Sequence, residues 1–75
     1  MRNKKTITGK LTIINRLNSS IDGNPRFLVE INNKYFKTTP DAMFAYSVQN
    51  FDGLTVNAVI GKHYNQDSIF NAEEV

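Results

Sequence analysis

The chain of 75 residues contains no cysteine and a single histidine, and these two shortages remove much of the chemistry open to a small protein. Without cysteine there are no disulfide staples and no thiolate metal ligands, which fits a reducing, intracellular setting. With His63 alone no histidine pair can hold a metal, and a zinc site would have to rely on carboxylates. The sequence also lacks a glycine-rich Walker loop and a GxSxG nucleophile elbow. No apolar run approaches the roughly 18 residues needed to span a membrane, and the opening MRNKKTITGK has no signal-peptide apolar segment. The expectation is a cytoplasmic, non-enzymatic protein with no metal, no cofactor and no membrane contact.

At this length a single core is only marginally sufficient, so each large apolar residue is expected to be structural first. Oligomerisation would bury more surface. There is no internal repeat and no low-complexity segment, so residues 1–75 read as one domain. The net charge of +2 is distributed unevenly. Residues 1–37 carry eight bases and two acids, a balance of +6, whereas residues 38–75 carry one base and five acids, a balance of −4. Either this polarity forms a basic face for an anionic partner, or strands distant in sequence interleave the two signs in space.

What is present is a period-two pattern interrupted once. Thr6 to Leu17 alternates, with Ile7, Leu11 and Ile13 on one side. Gly9 falls on that apolar side and marks a bend or bulge, and Ile14 breaks the alternation. Residues 18–25, NSSIDGNP, form the longest loop, read either as a connector or as a binding loop. Arg26 to Asn32 places Phe27, Val29 and Ile31 inward and Leu28 outward. Asn32-Asn33 suits a tight turn because asparagine tolerates positive φ, and Lys34 to Thr38 returns as a strand.

Thr39-Pro40-Asp41 then signals a helix start, combining a capping hydroxyl, a proline suited to the first turn and an acid favoured by the dipole. Phe44, Val48 and Phe51 follow at i, i+4 and i+7, one helical face, and Asp52-Gly53 ends the element. Alternation resumes from Leu54 to Tyr64, with Leu54, Val56, Ala58 and Ile60 inward and Gly61 as a bend. Asn65-Gln66-Asp67 reads as a turn, and Ser68 to Ala72 as a last strand anchored by Ile69 or Phe70. The acidic tail from Asn71 to Val75 is expected to fray, with Glu73 and Glu74 solvated.

The class is mainly β with one short helix, in the order β-β-β-α-β-β. That order, the long first strand with Gly9 at a bend, and a helix over residues 40–50 closing the barrel through Phe44, Val48 and Phe51 resemble the five-stranded oligonucleotide/oligosaccharide-binding (OB) barrel. The stretches GNPRFLVEI, YSVQNFDG and VNAVIG are also similar to small uncharacterised bacteriophage proteins, which implies provenance and a host cytoplasm more than an activity.

The OB resemblance implies aromatic platforms on exposed strand faces beside lysine and arginine, stacking on bases while cations neutralise phosphate. The candidates are Tyr35 with Lys37, Arg16 and Arg26 flanking the long loop, Lys62-His63-Tyr64, and Tyr46 on the helix face away from Phe44. The structural alternative makes Tyr35 and Tyr64 amphipathic residues at the core's edge. Three functions stay open: binding of single-stranded nucleic acid, sequestration of a small or cyclic nucleotide at an oligomer interface, and blockade of a host protein through Leu28, Val59 and Phe70.

Overall fold

In a computed structural model the chain is described over residues 4–18, 23–39, 42–63 and 65–75. Five strands form a closed barrel: β1 (Lys5–Leu17), β2 (Arg26–Ile31), β3 (Lys34–Thr38), β4 (Thr55–His63) and β5 (Gln66–Glu74). A short helix α1 (Ala42–Ser47), continued by a 3-10 turn (Val48–Phe51), lies between β3 and β4. The order around the barrel is β1-β2-β3-β5-β4. Every ladder is antiparallel except β3 with β5, a parallel seam of two residue pairs. This is an OB-like five-stranded barrel. Closure leaves no full-length edge on which another chain could template.

The 13 residues of β1 serve two neighbours. Its first half pairs with β4, from Lys5 with Ile60 to Lys10 with Thr55, and its second half with β2, from Leu11 with Ile31 to Leu17 with Arg26. A strand that changes partner exposes backbone groups at the switch, and buried or half-buried amides need a substitute. The turn after the 3-10 segment supplies it. The Leu11 amide donates to the Leu54 carbonyl at 2.9 Å, the Gly53 amide to the Leu11 carbonyl at 2.7 Å, and the Ile13 amide to Asp52 Oδ1 at 2.9 Å. Gly53 reaches this position with φ of 84°, a conformation in which a side chain is strained.

The β1 irregularity lies at Ile14, not at Gly9. Ile13 pairs with Val29 and Asn15 with Leu28, so Ile14 is the extra residue of a bulge and stays 47% exposed. Gly9 stays in register opposite Val56. It is needed for a different reason: a Cβ there would run into the Asn32 side chain, with Cγ only 2.8 Å away. Asn32 lies across that gap and donates from Nδ2 to the Thr8 carbonyl at 3.0 Å, pinning the β2-β3 hairpin to β1. The hairpin turn is as expected, with Asn32 and Asn33 at φ of 55° and 65°.

The inward positions of all five strands meet in one core. Leu11, Val29, Ile31, Val56, Ala58 and Ile69 have no measurable exposure. Phe36 settles the face of β3, inward, leaving Tyr35 outside at 56% exposure. Phe44 and Val48 are buried, and Phe51 and Leu54 are partly buried against the same cluster. Phe44 and Phe51 stack with centroids 6.5 Å apart. Pro40 and Asp41, the expected helix start, lie outside the described residues. The α-helical part is shorter than expected: Ser47 returns its hydroxyl to the Phe44 carbonyl at 3.1 Å, a local bond that competes with the α pattern, and the next turn is 3-10.

Two expectations about the last strands are corrected. Gly61 does not bend β4 out of the sheet, because it remains paired with Ser68. The irregularity falls at Phe70, since Val59 pairs with Asn71 and Ile60 with Ile69. Nor does the acidic tail fray. β5 begins at Gln66 and runs through Glu74, with Glu73 and Glu74 exposed but paired opposite Asn57 and Val56, and the Val75 amide donates to the Thr55 carbonyl at 3.1 Å. Among the described residues no helix is long and apolar enough to cross a membrane.

Candidate anion site at the barrel mouth

The helix closes one end of the barrel. At the other end four strand termini converge: the start of β1, the start of β3, the end of β4 and the start of β5. Alternation decides which side chains meet there. Lys5 shares the inward face with Ile7, Gly9 and Leu11; Lys34 shares it with Phe36, Lys62 with Ile60, and Asp67 with Ile69. Two residues beyond the last core layer, an inward position becomes a rim position. The outcome is a mouth with cations from β1, β3 and β4 and one carboxylate from β5.

A cavity of about 180 Å³ occupies this mouth. Its floor is Ile7, Phe36 and Ile60, and its walls are Lys5, Asn32, Lys34 and Asp67. Lys62 Nζ stands 2.7 Å from Asp67 Oδ1, with both side chains more than half exposed. The hydrogen bond and charge of Lys62 hold the Asp67 carboxyl below the usual aspartate value, opposed by desolvation; Lys34 and then Lys5 add smaller pulls in the lowering direction. A carboxyl lowered in the folded state contributes stability above its unfolded value and loses it as pH falls through the folded value. Asp67→Asn should therefore flatten the acid limb of the stability curve, followed by thermal melting from neutral pH downward. Superimposable limbs would show that the lysines exert no net pull.

Just outside the rim, Lys4 Nζ lies 4.3 Å from the centroid of the Phe70 ring, and His63 meets the same ring edge-on at 6.4 Å between centroids. Half-buried Phe70 thus holds a cation over its face. A second cavity of about 190 Å³, lined by Thr6, Asn57, Val59, Asn71, Ala72 and Glu73, has no cation in its lining. Among the described residues no three histidine, aspartate or glutamate side chains gather where a metal ion could be shared.

The structure therefore divides the expected site residues. Lys62 stands at the rim on Asp67, His63 lies against Phe70 just outside it, and Tyr35 follows Lys34 on the outer wall. Tyr64 lies outside the described residues. Lys37 is half-buried on the outer wall, opposite Leu28 on one side and Ser68 on the other. Tyr46 is 65% exposed on α1, at the helix end of the barrel. Arg16 stacks on the Phe27 ring at 5.8 Å, near the far end of β1.

Arg26 has a structural task. Its Nε and Nη2 both donate to the Thr38 carbonyl, at 3.1 and 3.0 Å, while Thr38 Oγ1 accepts from the Phe27 amide at 2.9 Å. This clamp ties the start of β2 to the end of β3. Arg26→Ala should cost about 1.5–3 kcal/mol, since a charged donor pair is lost from the carbonyl of buried Thr38, with oligonucleotide affinity nearly unchanged. A marked loss of affinity with an unchanged melting temperature would return Arg26 to the site.

Lys4, Lys5, Asn32, Lys34, Asp67 and Phe70 were not among the expected site residues. The signal that would have found most of them is parity: a charged residue in phase with an apolar strand face, one step past its end, marks a barrel rim. No protein family, curated protein or solved structure matches this chain.

Proposed function

We propose that the protein is a non-enzymatic binding module for single-stranded nucleic acid, engaged at the lysine-ringed mouth. The observation that carries this reading is the meeting of Lys5 and Lys34 in the lining of one cavity, with Lys62 beside it on Asp67, the single carboxylate among them. Like charges placed together repel unless something anionic is gathered between them, and Asp67 offsets only part of the charge. Tyr35, exposed on the outer wall next to Lys34, offers a ring face to a base, and Lys4 adds a further cation beside Phe70. Stacking and phosphate neutralisation then act on neighbouring parts of one strand. The uneven charge along the sequence supports the same reading, because three lysines of the basic half meet the lone base of the acidic half at this end.

With three or four phosphates neutralised, log affinity should fall against log salt with a slope of about −2 to −3, the single-strand dependence for that number of contacts. Fluorescence anisotropy of a labelled oligothymidylate across a salt series measures it. A slope near zero, or no binding at low salt, would contradict the proposal.

A further inference from the structure

We infer that the barrel mouth is a terminal-phosphate pocket, which receives the phosphate monoester at the end of a single strand in preference to the diester backbone within it. This deepens the nucleic-acid reading and rests on it. The shape of the cavity is the first argument. It is a small open recess floored by Phe36 and Ile60, which are 4% and 5% exposed, with Lys5, Lys34 and Asp67 in its walls, so a group seated there rests on a closed floor with two lysines beside it. Its volume of about 180 Å³ is below the roughly 300 Å³ at which pockets for whole small ligands begin. A phosphate with part of its sugar suits that space; a complete nucleotide does not.

Charge is the second argument. Lys5, Lys34 and Lys62 supply three positive charges and Asp67 one negative, leaving the mouth at +2. A phosphate monoester carries about −1.5 to −2 at pH 7 and presents three strong acceptor oxygens. An internal diester carries a single charge and fewer free oxygens, so it matches the mouth less well. Asp67 itself marks where an anion sits. Its carboxylate already draws on the same three lysines, with Lys62 in direct contact and Lys34 and Lys5 acting through charge. An oxyanion of higher charge in that place meets cations already arranged around it.

The test compares oligothymidylates of about 10 nucleotides, within the span of one such barrel, bearing a 5′-phosphate, a 3′-phosphate or neither, alongside thymidine monophosphate as competitor. Binding to the full chain is read by anisotropy. At least one phosphorylated end should bind about tenfold tighter than the unphosphorylated strand, as one added charge-assisted contact gives. Lys5→Ala with Lys34→Ala, both at exposed positions, should erase that ratio, and Asp67→Asn should widen it. If the double variant does not melt like the wild type, Asp67→Asn decides: a wider ratio supports the pocket and an unchanged one overturns it. Equal affinity for all three strands would overturn the inference while leaving nucleic-acid binding intact. Binding of the monophosphate but of no strand would keep the monoester pocket and remove the nucleic-acid reading. Binding of none would remove both.

Discussion

Phe44→Ala should bring the domain close to unfolding. The ring is 5% exposed, stacks on Phe51 and packs into the core formed by all five strands. Truncating a buried phenylalanine costs about 3–5 kcal/mol, combining lost burial with the cavity left behind. A domain of this size has a total stability of roughly 4–11 kcal/mol, on the usual scale per residue. The loss is therefore a large share of the whole. It should appear as a fall in melting temperature of at least about 12 °C, given some 4–8 °C per kcal/mol for small domains. The six-residue helix cannot stand alone, so losing its anchor also releases the turn at Asp52 to Leu54 that secures the middle of β1. Tyr46→Ala supplies the control. It removes a ring of similar size from the same helix at an exposed position, where substitutions usually stay within about 0.5 kcal/mol. Equal effects of the two changes would show that the helix is not a plug.

The second large effect concerns binding. Lys5→Glu with Lys34→Glu takes the mouth from +2 to −2 without touching a buried side chain. Single-strand affinity at physiological salt should fall by at least about a hundredfold, since phosphate contacts are replaced by repulsion at the same place. Lys10→Glu with Arg16→Glu makes the same change in net charge at exposed positions farther along β1. That pair should lower affinity far less, because exposed charges beyond a Debye length of about 8 Å are screened at physiological salt. Similar losses from both pairs would mean that overall charge, not the mouth, holds the ligand.

The fold was legible because its main signals are local. Alternation in Phe27, Val29 and Ile31, the Asn32-Asn33 turn, and the spacing of Phe44, Val48 and Phe51 each report a neighbourhood of a few residues, and their order suffices for the architecture. Irregularities were harder to place. Gly9 and Gly61 attract attention as bend residues, yet the bulges fall at Ile14 and Phe70, where register between distant strands decides which residue is left over. The continuation of β5 through Glu74 was equally hidden, since the acidic residues look solvated and are paired only because β4 lies alongside.

The candidate site was legible in part. Of the candidates read from sequence, Lys62 stands beside the mouth on Asp67 and His63 against Phe70 just outside the rim. Lys5 and Lys34 are remote from them in sequence and read singly as ordinary surface lysines; only barrel closure brings them together. Arg26, beside a polar loop, reads from sequence as available for a ligand, whereas its bond to the Thr38 carbonyl comes from the pairing of β2 with β3 and has no local signal.

The most direct measurement is amide NMR of the labelled protein titrated with an oligothymidylate carrying terminal phosphate. Binding at the mouth predicts that shifts concentrate at Lys5, Asn32, Lys34, Tyr35, Lys62, His63 and Asp67, while Arg16, Arg26, Tyr46 and Glu73 stay in place. Shifts centred on the helix end or on the outer wall of β4 and β5, with the mouth residues unmoved, would contradict it.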